Sequence, residues 1–226
     1  AFCYNEEQFN YMTQVLQFIQ SLPSPIAQGF IWGIMAIGVY ITYKILDLAD
    51  LTVDGSFATG GAVLVVLTTK GVNIYLALLI AFAAGCLAGF VTGIFHTKFG
   101  IPAILAGILT QLALYSINLR IMSGKANTSI SKRNFNLIIT SSADELGRTI
   151  LVCAIFVAVL IGVLYWFFGT ELGNSIRATG CNQAMARANG INTDSRKIIG
   201  LVLSNGIVAM SGALLAQFNG CADINM

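Results

Sequence analysis

The chain has 226 residues, 56 % of them hydrophobic and 10 % charged, with mean hydropathy +0.79 and a formal net charge of +2. A soluble domain carries about 25 % charged residues, so this composition belongs in a bilayer, and a charge this small without interleaved aromatic and basic residues excludes a nucleic-acid surface. Cys3, Cys86, Cys153, Cys181 and Cys221 are scattered and odd in number, spell out neither a disulfide framework nor a metal site, and read as small apolar fillers.

Residues 1–25 read as an N-terminal extension with an interfacial amphipathic helix. Met12, Val15, Leu16 and Ile19 share one helical face while Thr13, Gln14, Gln17 and Gln20 lie elsewhere, the spacing of a helix half immersed in an apolar surface. The residues before Met12 include Glu6 and Glu7 and nothing like the basic front of a signal peptide, so Met12 is a natural start. The chain stops at Met226 soon after a long apolar run and reads as part of a longer one.

Pro23 and Pro25 break the lead-in helix, and Ser24 before Pro25 opens a first span over 26–46. A hydrocarbon core of ~30 Å takes about 20 helical residues. Runs 74–95, 102–119, 148–168 and 198–218 meet or approach that length, with start signals at Asn73, Pro102 and the capping box Ser142-Ala143-Asp144-Glu145. The run 57–69 is short for a crossing and reads either as half of a broken helix that begins near Ile45 or as a re-entrant segment. The expected fold is an all-α polytopic transmembrane helix bundle of about six membrane segments over residues 26–226.

Several residues inside this bundle bear on packing and passage. Gly85, Gly89 and Gly93 form a tandem GxxxG ladder, which lets two backbones approach closely. Asp54, before Gly55-Ser56-Phe57, can cap the short helix 57–69, where free N–H groups and the positive dipole end favour a carboxylate. Contact with a solute or ion is the sharper reading of Asp54, and the two are compatible, because transporters line their paths with polar backbone at helix starts inside the membrane. Ser56, Gly60, Gln111, Asn118 and Asn205 join it as candidate pathway residues, although intramembrane amides and hydroxyls more often bridge helices. Asp47 and Asp50 read as solvated near Lys44.

Six cations fall on each side of the expected topology: Lys44, Lys98, Arg177, Arg187, Arg196 and Lys197 against Lys70, Arg120, Lys125, Lys132, Arg133 and Arg148. The positive-inside rule therefore rests on the first span alone, which has no Lys or Arg before Lys44 and so runs from outside to inside. Between the last two spans lies a polar interval, 169–197. Within it Asn182 is an N-cap, Ala184, Met185 and Ala188 line one side of a short helix, and Gly190 takes the left-handed C′ position. Such a helix is either an ordinary surface element or one that inserts into a cleft on a partner.

The segments "LTVDGSFATGGAV", "LRIMSGKANTSI" and "IRATGCNQAMARANGINTDSRKIIGLVLSNGIVAMSGALLAQFNGCADINM" resemble the permease subunit of bacterial ABC importers. The branch is that of branched-chain amino acid and ribose permeases, nearest the tryptophan and tyrosine importer group. The resemblance covers nearly all of 26–226 and is most specific around 176–191. It implies a multi-pass protein of the bacterial cell membrane, a cytoplasmic coupling helix within 173–191, and several further spans past Met226. The coupling residues it implies are Arg177, Ala178, Gly180, Asn182, Ala184, Met185, Ala186, Arg187, Ala188 and Gly190. The partners it implies are a separate ABC ATPase subunit, an extracytoplasmic substrate-binding protein facing loop 120–147, and a second permease copy in a homodimer. The solute it implies is an amino acid, aromatic in the nearest group.

The sequence has no GxxxxGK[ST] loop, so ATP would be bound by the partner and this chain would carry no cofactor. No HExxH, CxxC or GxSxG occurs, and the single histidine, His96, reads as a membrane-interface residue near Lys98, so the expectation is a transport subunit and not an enzyme. Its rivals are a ribose-type sugar permease and an ion-coupled secondary transporter. The latter needs charges buried in mid-span, whereas the acids here cluster at span ends.

Overall fold

The computed structural model describes residues 22–129 and 146–224. The expected lead-in helix over 12–20, the capping box 142–145, Lys132 and Arg133 lie outside the described residues. The described residues form eight α-helices: α1 (Pro23–Tyr40), α2 (Thr52–Thr69), α3 (Ile74–Thr97), α4 (Ala103–Ile121), α5 (Leu146–Gly169), α6 (Glu171–Cys181), α7 (Gln183–Ala188) and α8 (Thr193–Asn219). A π-helical turn, Ile41–Ile45, extends α1, and two three-residue strands, β1 (Asn127–Ser129) and β2 (Cys221–Asp223), pair antiparallel with Thr128 opposite Ala222. Six segments are long and apolar enough to cross a membrane: α1 with its π turn, α2, α3, α4, α5 and α8.

Two helices make the centre. Some 78 % of α2 and 72 % of the most apolar window of α8 are buried, against 11 % for α5, so α2 and α8 form a core wrapped by the others. Small residues allow this. A Cβ on Gly60 would collide with the Ala209 carbonyl oxygen, and one on Gly212 with the Phe57 carbonyl oxygen, so α2 and α8 touch backbone to backbone. Gly85, Gly89 and Gly93 all face α8, against Asn205 and Ala209, Leu201, and Ile198 respectively. These contacts run oppositely along α3 and α8. The α1 contacts, Gly38 at Ser204 and Val208 and the Ile31 carbonyl accepting from Ser211 Oγ at 2.7 Å, are again antiparallel to α8.

The segment expected over 57–69 differs in extent. Helix α2 begins at Thr52 and has 18 residues, about 27 Å of rise, and only residues 46–51 separate it from α1 and its π turn. The helix continues through its polar start because those side chains bond within the bundle. Ser56 Oγ donates to Asn205 Oδ1 at 2.6 Å, Thr52 Oγ1 lies 2.8 Å from Thr92 Oγ1, and Thr59 Oγ1 donates to the Gly55 carbonyl at 2.7 Å.

The capping assignment changes with it. Asp54 sits inside the first turn of α2, and Asp50 accepts the Thr52 N–H at 2.9 Å through Oδ1. Asp50 is half-buried and not simply solvated, since its Oδ2 accepts from Asn205 Nδ2 at 2.7 Å. Asp47 is exposed with φ +56°, a left-handed residue that turns the chain between α1 and α2.

Candidate functional site

Two features stand out, one at each level of the bundle. The first is the α6–α7 region. Thr170 caps α6 by accepting the Gly173 N–H, and the Arg177 guanidinium lies 5.3 Å from the centre of the Phe168 ring. Near the other end of α6, Gly180 lies against the backbone of Ile45 and Leu46 so closely that a Cβ there would overlap the Ile45 carbonyl oxygen. Ala178 is exposed beside it.

Helix α7 is short and closed at both ends. Asn182 Oδ1 accepts the Met185 N–H at 3.0 Å. At the C-terminus Ile191 N–H donates to Ala186 O at 3.0 Å and Gly190 N–H to Arg187 O at 2.9 Å, with Gly190 at φ +78°. Ala186 is its one buried residue, whereas Ala184, Ala188 and Met185, the last 65 % exposed, point away from the bundle. Arg187 fastens α7 to the first turn of α8, its Nε donating to Thr193 Oγ1 at 2.8 Å and its Nη2 lying 3.2 Å from Asp194 Oδ1. On the same end of the bundle, buried Lys197 places Nζ 3.5 Å from His96 Nε2, while His96 Nδ1 lies 2.9 Å from the Ile101 carbonyl.

The second feature is a cleft of about 360 Å³ between α2 and α4. Its α2 wall is Asp54, Gly55 and Ala58, and its α4 wall is the helical stripe Gln111, Leu112, Tyr115 and Asn118, with Ile224 beside them. Glycines bring the walls together. A Cβ on Gly107 would come 2.7 Å from the Leu51 nitrogen, and one on Gly55 would come 3.2 Å from the Gln111 Cα. Three of the six candidate pathway residues, Asp54, Gln111 and Asn118, therefore share one cleft. Ser56, Gly60 and Asn205 lie elsewhere, in the packed α2–α8 seam. Asn205 is fully buried, and its amide is taken up by Ser56, Asp50 and the Leu201 carbonyl.

Sequence reasoning missed Tyr115 and Leu112. Tyr115 stands four residues after Gln111 and three before Asn118, with Leu112 three before Tyr115, and that helical spacing was the available signal. Asn118 has a further property. It is 1 % exposed, yet neither of its amide atoms has a hydrogen-bond partner among the described residues. Native interiors leave few such groups unpaired.

The profile of the family described as "Branched-chain amino acid transport system / permease component" matches residues 23–226. The tyrosine transport system permease protein of Clostridioides difficile (strain R20291) is 45 % identical over 205 residues, 90 % of this chain and 66 % of that protein. An uncharacterized protein of Rickettsia prowazekii (strain Madrid E) is 34 % identical over 205 residues, covering 91 % of this chain and 71 % of its own length. The ribose import permease protein RbsC of Escherichia coli (strain K12) is 28 % identical over 205 residues, covering 87 % and 61 %. The chain thus spans about two thirds of the length of these relatives. No solved structure matches.

Proposed function

The chain belongs to the family of permease components of branched-chain amino acid transport systems, and on that premise we propose that it is the membrane-spanning subunit of an ATP-driven importer for an amino acid. Its α6–α7 face docks a separate ATP-hydrolysing subunit, an extracytoplasmic binding protein delivers the solute to the opposite end, and two permease copies form the complete pathway. The similarity to a tyrosine permease at 45 % identity, against 28 % for a ribose permease, supports an amino acid over a sugar.

The observation that carries the docking role is α7 itself. A helix of six residues has no cooperative stability of its own, yet this one is capped by Asn182, closed by Gly190 and tied to α8 by Arg187. Its exposed side offers Ala184, Met185 and Ala188, a small apolar surface suited to a groove on a partner. Force on α7 reaches α8 through Arg187 and the α1–α2 linker through the α6 contact at Gly180. An ion-coupled mechanism has less support, because Lys197, at the end of α8, is the one buried charged side chain among the described residues.

The test is retention of the ATPase subunit by the full-length permease. Ala184→Asp and Ala188→Asp alter exposed positions and spare the fold. Wild type should retain the subunit and both variants should lose most of it. Equal retention by all three, or none by wild type, would remove the docking role.

A further inference from the structure

We propose that the α2–α4 cleft is a binding site for a primary ammonium group, with the Asp54 carboxylate as its counter-charge; the inference rests on the importer reading for the direction of transport but not for binding. The cleft lies inside two membrane segments, where a carboxylate is costly and ordinarily pairs or faces a polar cavity. Asp54 has neither an ion pair nor a hydrogen bond among the described residues, and at the start of α2 it is Asp50 that accepts a backbone N–H, that of Thr52. Asp54 is exposed and lines this cleft.

The lining decides the chemistry of the occupant. Among the described residues Asp54 is its one charged lining group, accompanied by the neutral polar groups of Gln111, Tyr115 and Asn118, with no described lysine or arginine beside it. Among these groups the Asp54 carboxylate has no counter-charge. A sugar hydroxyl could donate a hydrogen bond to Asp54 but would leave its charge uncompensated, whereas an ammonium supplies three donors and the opposite charge together. The half-exposed ring of Tyr115 adds a face that attracts a cation.

Asn118 is the independent sign that something polar belongs here. Its buried amide lacks both a donor and an acceptor partner and lines the cleft, so a solute with a carboxylate or hydroxyl beyond its ammonium could satisfy it. The volume of about 360 Å³ lies at the lower end of the range of small-molecule pockets, about 300–1,000 Å³. An amino-acid-sized zwitterion meets all of these conditions.

Equilibrium dialysis of radiolabelled L-tyrosine against the full-length, detergent-purified permease with its ATPase subunit tests the site. The competitors are tyramine, which keeps the ammonium and lacks the carboxylate; 3-(4-hydroxyphenyl)propionate, which keeps the carboxylate and lacks the ammonium; and D-ribose. Tyrosine should bind, tyramine should compete, and the deaminated acid and ribose should not. Asp54→Asn, which preserves shape, should weaken tyrosine and tyramine about 10- to 100-fold. Asn118→Leu should weaken tyrosine without lowering the unfolding temperature, a separation that a purely structural amide would not show.

Equal competition by the deaminated acid, undiminished binding by Asp54→Asn, or no amine binding at millimolar concentration would each overturn the proposal. ATPase retention in the same preparations reads the importer role separately. A complex that assembles without amine binding removes only this site, and amine binding without an ATPase removes only the importer reading.

Discussion

Asn205, in the middle of α8, and Asp50, in the linker before α2, are joined by a 2.7 Å hydrogen bond from Nδ2 to Oδ2 across 155 positions of sequence. The same carboxylate caps α2 through its other oxygen, and the same amide accepts from Ser56 on α2. Asp50 follows the π turn by a few residues, and that turn's Ile45 meets Gly180 of α6. A contiguous set of packed groups thus joins the α6–α7 face to the start of the most buried helix and to the centre of the bundle. Such continuity is what a mechanical relay needs, and energetic coupling is what would demonstrate it.

A double-mutant cycle measures that coupling. Asn205→Ala strands Ser56 and the Asp50 carboxylate, and should destabilise the protein by about 2–4 kcal/mol. Asp50→Ala should cost less once Asn205 is gone, with an interaction energy of about 1–3 kcal/mol in a reversible detergent-unfolding titration. Additive effects would mean that the 2.7 Å bond contributes nothing to the fold.

Two glycine substitutions should have opposite signs. Gly212→Ala drives a methyl into the Phe57 carbonyl and must separate α2 from α8, at a cost of about 1–3 kcal/mol or more. Gly33 on α1 has nothing within 4 Å of where a Cβ would stand, so Gly33→Ala should be neutral or stabilise by about 0.5–1 kcal/mol through backbone entropy. The same unfolding titration compares them, and an equal loss in both would show that the α2–α8 contact is looser than described.

What the sequence made legible was local. The runs 74–95, 102–119, 148–168 and 198–218 are apolar for long enough to declare themselves, and the Asn182 cap and left-handed Gly190 depend on neighbours within a few residues. The start of α2 was not legible. Ser56 and Thr52 resemble the polar lead-in to a helix, and the partners that let them lie within one, Asn205 and Thr92, are far away in sequence. Asp50 read as solvated for the same reason. Asp54, Gln111 and Asn118 could each be singled out as polar in an apolar run. Their meeting in one cleft required α2 and α4 to pack in parallel through Gly55 and Gly107, which no spacing displays.

The closure of α7 can be read by hydrogen exchange. Asn182→Ala removes the side-chain acceptor for the Met185 N–H, a loss of about 1 kcal/mol, so the amides of residues 183–188 should exchange about 5-fold faster. Asn182→Asp keeps an acceptor and should restore protection. Asp194→Ala removes an exposed ion pair whose partners are 61 % and 52 % exposed, and should change exchange little, by less than about 1 kcal/mol. A larger effect from Asp194→Ala than from Asn182→Ala would reverse the assignment of what holds α7 in place.

Cys181 provides the orientation. It is exposed at the end of α6, on the same rim as Tyr43, Lys44 and Asp47, whereas Cys153 on α5 is 1 % exposed. In a full-length variant that retains Cys181 alone, a membrane-impermeant maleimide should label inverted membrane vesicles and spare right-side-out ones. Bound ATPase subunit should slow that labelling, because Cys181 adjoins the exposed side of α7. Labelling confined to right-side-out vesicles would turn the bundle over, set Lys44, Arg177 and Arg187 on the outer surface against the positive-inside rule, and deny α7 any access to an ATP-hydrolysing partner.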